Sequence, residues 1–252
     1  MIFKNKFNKG AKIIMQVKQY EDKNFIIYAP NSLNQVVNYI INYTNNNLKN
    51  IFDFFSLNDF RRVTVNLFDN IDIFKNYISE IRKVDMATLP WYIKGTYDNG
   101  MINHYVDISK VKLSLILHEL VHIIYKEIIL NNEYQKRVVW LDEGLALNLS
   151  GENEILENDE KFISFINKIL SIENLPALNE LSHEKNFSNN LYNGYDLSYL
   201  AVRYLIETKN HDEVLNIIRS NEKSLQIGNT ILEDAIKFYC MKYNIEKNQK
   251  SL

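Results

Sequence analysis

The pattern of apolar and polar positions changes character partway along the chain. Residues 24–29 (Asn-Phe-Ile-Ile-Tyr-Ala) form a short apolar run stopped by Pro30, which predicts a strand. Asn31 or Ser32 can then cap a helix that runs to about Phe55. Val36, Val37, Ile40, Ile41, Tyr43, Leu48, Ile51 and Phe55 recur along it at helical spacing. Residues 62–68 alternate toward a strand, with Val63, Val65 and Leu67 on one face, and Asp69 can cap a helix through Ile81. Residues 91–97 and 101–107 predict two strands joined at Asp98-Asn99-Gly100, since an Asn-Gly pair between β-prone runs favours a hairpin. From Lys112 the pattern is helical almost to the end. Only 7 glycines and 3 prolines are available to interrupt it, so helices should dominate. This order predicts an α+β fold. A mixed α/β lobe with a small sheet is expected over residues 1–110 and a helical lobe over 111–252, a single unit with its site in the cleft where the two meet.

Two of the helical segments are apolar almost all round, which marks buried helices. The first reads Leu115-Ile116-Leu117-His118-Glu119-Leu120-Val121-His122-Ile123-Ile124-Tyr125. Burying imidazole and carboxylate groups without partners costs several kcal/mol or more, so something must satisfy them. His118 and His122 are four residues apart and so share one helix face. Their ring nitrogens can converge on one ion at about 2.0–2.1 Å, the zinc–nitrogen distance. Glu119 points about a quarter-turn away, where it can reach a water on the metal rather than the metal itself. That is the mechanical content of the His-Glu-x-x-His motif.

The second segment reads Val138-Val139-Trp140-Leu141-Asp142-Glu143-Gly144-Leu145-Ala146-Leu147-Asn148-Leu149. Glu143 has Val139, Trp140, Ala146 and Leu147 as helical neighbours, so a carboxylate sits on a packing surface and needs a cation or strong donors. Periodicity cannot separate Glu143 from Asp142 here.

Composition narrows the chemistry. A formal net charge of -2 lacks the basic excess of a nucleic-acid binder, so no nucleic-acid partner is expected. No run approaches the roughly 18 apolar residues of a membrane span. The opening residues 1–10 are basic, but no apolar segment follows them, and a cytoplasmic location is the expectation. The single cysteine, Cys240, lies in an apolar stretch and reads as a small core hydrophobe. A multi-thiolate site is excluded, and any metal must be held by histidine and carboxylate.

Taken together, His118-Glu119-Leu120-Val121-His122 and Trp140-Leu141-Asp142-Glu143-Gly144-Leu145-Ala146 resemble the gluzincin metallopeptidases of the MA clan, most closely the M1 aminopeptidase-like branch. That branch carries its third zinc ligand in a W-L-x-E-G-x-A helix. The resemblance covers residues 113–149 well and the later helices loosely. It implies a thermolysin-like zincin fold, one Zn2+ per chain held by His118, His122 and Glu143, and Glu119 as general base. It also implies that Tyr195, which opens Tyr195-Asp196-Leu197-Ser198-Tyr199-Leu200 in the register of a Y-x-K-G-x-x-x-L motif, stands where the family has its catalytic tyrosine. Ser198 replaces the usual glycine, and Tyr192 and Tyr199 are the competitors. The G-x-M-E-N segment with which M1 aminopeptidases grip a free amine has no match upstream of His118, nor is the family's large N-terminal β domain found. An endopeptidase acting on a peptide or protein substrate is therefore expected ahead of an aminopeptidase or an idle zinc-binding interaction module. Asp142 is a candidate to orient a ligand histidine. His104 and His211 read as structural or exposed, and His183, in a polar loop, as a weaker second oxyanion donor.

Overall fold

A computed structural model describes residues 17–90, 93–98, 100–130, 136–153, 156, 158–181 and 187–245. The chain divides into two compact units, Met1–Glu119 and Leu120–Leu252.

The first unit holds a five-stranded mixed sheet. Its strands are β1 (Val17–Glu21), β2 (Phe25–Ala29), β3 (Val63–Phe68), β4 (Gly95–Asp98) and β5 (Met101–Tyr105), in the spatial order β1-β2-β3-β5-β4. The central pairs β2–β3 and β3–β5 are parallel, and the outer pairs β1–β2 and β4–β5 are antiparallel. Parallel neighbours need a crossover. Helix α1 (Asn34–Phe55) lies between β2 and β3 in the chain, and α2 (Ile71–Arg82) lies between β3 and the β4–β5 hairpin. The core strands are buried on alternate or successive positions, with Phe25, Ile27, Val63, Val65 and Leu67 at 2 % exposure or less. Helix α1 buries Val37, Ile40, Ile41, Thr44, Leu48, Ile51 and Phe55, the single stripe that its spacing requires. A separate cluster of Phe68, Phe74 and Ile78 gathers Tyr77, Leu89, Ile93 and Tyr105 around α2.

Several expectations shift in detail. The long helix is not capped by Asn31 or Ser32. A 3-10 turn over Asn31–Leu33 leads into it without a side-chain cap, and Ser32 instead hydrogen-bonds the Asp69 carboxylate. Asp69 being engaged, Asn70 caps α2 by accepting from Asp72 N and Ile73 N. The hairpin strands are shorter than 91–97 and 101–107. Of the first, residues 91 and 92 lie outside the described set, and β4 starts at Gly95. The second ends at Tyr105. Gly100 takes φ 78°, the left-handed conformation that a tight hairpin turn demands and glycine supplies freely. Strand β1 has no counterpart in the sequence reading, because Val17-Lys18-Gln19-Tyr20-Glu21 is a mostly polar edge strand with little apolar signal.

The dividing line between the units falls inside α3 (Leu115–Ile124), which continues as a π turn over Tyr125–Ile129. The second unit is helical. It comprises α4 (Val139–Leu149), α5 (Asp159–Leu170), α6 (Gly194–Thr208), α7 (His211–Ile218), α8 (Asn221–Ile227) and α9 (Ile231–Lys242). Helices α4 and α6 approach closely at Gly144, where an added Cβ would fall on the Ser198 carbonyl oxygen and on Val202 Cγ2. Ser198 is fully buried there. Helices α5, α6 and α9 share an aromatic seam, with Phe162 edge-on to Tyr239 at 4.9 Å and the Arg203 guanidinium 4.4 Å over the Phe162 ring. Cys240 is buried in α9, in keeping with a core role. No helix among the described residues is long and apolar enough to cross a membrane.

Candidate metal centre

Helix α3 is buried along nearly its whole length, and His118 and His122 are its only half-buried positions. One turn apart, they form the open face of an otherwise packed helix. Glu143 on α4 completes the set: one donor atom each of His118, His122 and Glu143 lies within 4.8 Å of the others. Glu143 Oε2 is 3.6 Å from His122 Nε2. Two imidazoles and a carboxylate, with no thiolate, are a donor set suited to zinc with one position open to water or substrate.

Geometry separates the two carboxylates that periodicity left open. Asp142 Oδ1 accepts from His122 Nδ1 at 2.7 Å, which turns Nε2 of the same ring toward Glu143. A carboxylate on the far ring nitrogen fixes tautomer and orientation and raises ligand basicity. Asp142 and Glu143 are 2 % and 4 % exposed. Their charge is met by Arg137, whose Nε donates to Asp142 Oδ2 and whose guanidinium also donates to Glu143 Oε1 at 2.8 Å. Partial burial works against the charge on Arg137, but the two carboxylates outweigh it and raise its pKa further. Tyr125, in the π turn after α3, is buried, and that burial, with the nearby Asp142 charge, pushes its phenol well above the usual range.

Glu119 is 9 % exposed. Its carboxylate lies over the edge strand β4 at Gly95: a Cβ there would strike Glu119 Oε1 and come within 2.6 Å of His104 Cδ2 and 3.0 Å of His104 Nε2. Gly95 and His104 are direct partners across the β4–β5 ladder, so their side-chain directions share a face. Only a glycine lets Glu119 settle so close to the strand. His104 Nδ1 donates to the Tyr105 carbonyl at 2.7 Å, which leaves Nε2 as the ring's acceptor nitrogen in the neutral form. His104, expected to be structural or exposed, thus borders the same point at Gly95 as the carboxylate beside the first histidine. Arg137 belongs to no motif. A lone arginine just before an apolar helix that carries two acids was the available signal.

Tyr195 opens α6, its N–H donating to the side chain of the cap residue Asn193 at 3.1 Å and its ring edge-on to Phe187 at 4.7 Å. It is half-buried, as is Tyr192. Tyr199 is buried, and its hydroxyl accepts from Arg203 at 2.8 Å, a packing role within α6. His211 is exposed at the first position of α7. His183 lies outside the described residues.

A family model described as the peptidase MA superfamily matches residues 97–246, from the β4–β5 hairpin through α9. The chain belongs to that superfamily. No curated protein matches the chain.

Proposed function

We propose that the protein is a zinc-dependent endopeptidase in which His118, His122 and Glu143 hold the metal and Glu119 is the general base. The observation that carries the reading is the convergence of these three donors within 4.8 Å on two buried helices, with Glu119 next to the first of them. Membership of the peptidase MA superfamily supports hydrolysis of peptide bonds by such a centre. Bound zinc supplies Lewis acidity, lowering the pKa of water to about 7.

The chain's own groups do the rest. Asp142 holds His122 through Nδ1 and keeps its Nε2 available as a donor. Glu119, its carboxylate set against Gly95, takes the proton of the attacking water and later passes it to the leaving amine. Tyr195, held by the Asn193 cap and Phe187, donates to the oxyanion that develops on the scissile carbonyl. Strand β4 is the last strand of the sheet order, and its outer edge suits an extended peptide added as a further strand in a thermolysin-like arrangement. Binding along a strand edge engages main chain on both sides of a bond, which favours internal cuts over removal of a terminal residue.

The test is a mixed library of peptides with blocked ends, incubated with zinc-loaded protein and with Glu119→Gln, new termini being read by mass spectrometry. Internal cuts made by the native protein alone are expected. Cleavage restricted to unblocked peptides would make it an aminopeptidase. An inert protein that still binds one zinc would make it a binding module.

A further inference from the structure

Asp142 and Glu143 are adjacent, buried and both acidic, and two such charges cannot share a packed helix surface without a cation. Arg137 is that cation. Its side chain keeps 43 % of its exposure, so it covers the pair from the solvent side. It uses two different nitrogens, one for Asp142 Oδ2 and one for Glu143 Oε1. Each carboxylate is thereby divided. Asp142 gives one oxygen to Arg137 and the other to His122 Nδ1. Glu143 gives Oε1 to Arg137, and its Oε2 lies on the side of His122 Nε2.

The backbone that leads into Arg137 is itself held in place. Asn221, the first residue of α8, grips the backbone of Lys136 from both directions, accepting from its N–H at 3.0 Å and donating to its carbonyl at 2.6 Å.

We infer that Arg137 is a positioning residue for the metal centre. It clamps Asp142 and Glu143 so that the first fixes the His122 ring and the second offers Oε2 alone to the metal. The inference rests on the zinc reading given above. A carboxylate with both oxygens at liberty can chelate a metal through two atoms. With Oε1 tied to Arg137, Glu143 would offer a bound zinc one atom only, which would leave room there for water and substrate. The fork geometry matters as well as the charge, since a lysine ammonium cannot span two acceptors in the way that a planar guanidinium does.

Cobalt(II) alone is the probe, because its visible absorption is strong when four-coordinate and weaker when a fifth donor joins. The metal-free full chain is titrated as native protein, Arg137→Gln, Arg137→Lys and Asn221→Ala, with Glu143→Gln as control. The native chain should bind one cobalt with a strong visible band that Glu143→Gln loses. Arg137→Gln should still take one cobalt, but with the band weakened by about twofold or more. Its metal-free form should melt roughly 5–10 °C lower than the native chain and gain more from cobalt. Arg137→Lys should recover melting temperature but not the band, and Asn221→Ala should fall between native and Arg137→Gln. A native band in Arg137→Gln overturns the clamp. If that variant does not fold, a native band in Arg137→Lys overturns it equally. A native chain that takes no cobalt, or a band indifferent to Glu143→Gln, overturns the zinc reading itself and the clamp with it.

Discussion

Replacing Gly144 by alanine sets two effects of opposite sign against each other. In an unencumbered helix interior the change stabilises by about 0.8–1 kcal/mol. On α4 the new Cβ lands on the Ser198 carbonyl oxygen and Val202 Cγ2, and 3.0 Å from the Ser198 carbonyl carbon. The valine methyl can swing aside. The carbonyl cannot, because it belongs to the hydrogen-bonded backbone of α6, so the two helices must separate. Overpacking of this kind costs about 1–3 kcal/mol, and an obstacle made of backbone calls for the upper half of that range. The net expectation is a loss of about 1–2 kcal/mol after the helix-propensity gain. For a chain of this size each kcal/mol moves the melting temperature by about 2–4 °C, so a fall of roughly 2–8 °C should be seen by circular dichroism. Glu143 is the preceding residue, so its carboxylate moves with the helix, and zinc affinity measured by chelator competition should drop by about tenfold. A melting temperature equal to or above the native value would refute the reasoning, since it would mean that α4 is not pressed against Ser198.

Other consequences follow from the same geometry. Gly95→Ala should push the Glu119 carboxylate off its seat by about 1 Å and slow peptide cleavage by about 100-fold, while zinc content measured by mass spectrometry stays at one per chain. Tyr195→Phe should lower kcat by about 10²–10³ with zinc binding and melting temperature unchanged, whereas a loss shared equally by Tyr192→Phe would contradict the assignment. Glu207 gives a pH-dependent test. Burial raises its pKa, but hydrogen bonds from Arg203 and Lys242 more than offset this and hold it below the ordinary 4.5. A carboxyl lowered in the folded state adds stability above its unfolded pKa and loses it as pH falls through the folded value. Glu207→Gln should therefore melt below the native chain at about pH 7, and the difference should vanish as the pH falls through the folded value of Glu207.

The candidate metal centre is more legible in the sequence than its surroundings. His118, Glu119 and His122 stand out because a helix apolar on every side has no other use for them, and the buried helix is there as expected. Asp142 and Glu143 could not be told apart by period, because α4 is buried nearly all round and every direction looks alike from the sequence. Only the approach of the His122 ring, with one carboxylate at each nitrogen, gives them different tasks. Arg137 and His104 are not legible in the sequence for a different reason. Their partners are set by pairings that spacing does not encode: the side chain of Asn221 gripping the backbone before Arg137, and the β4–β5 register that faces His104 toward Gly95. The cap of α2 shows the same limit on a small scale. Asp69 and Asn70 are both good caps, and the choice falls to Asn70 because Ser32, remote in sequence, engages Asp69.

Everything proposed for Glu119, Tyr195 and Arg137 depends on one metal sitting among His118, His122 and Glu143. Crystals of the zinc-loaded chain, measured at the zinc absorption edge, test this most directly. The account predicts a single anomalous peak per chain, about 2.0–2.2 Å from a nitrogen of each histidine and from a Glu143 oxygen. No peak at that point, or a zinc held by other residues, would contradict it.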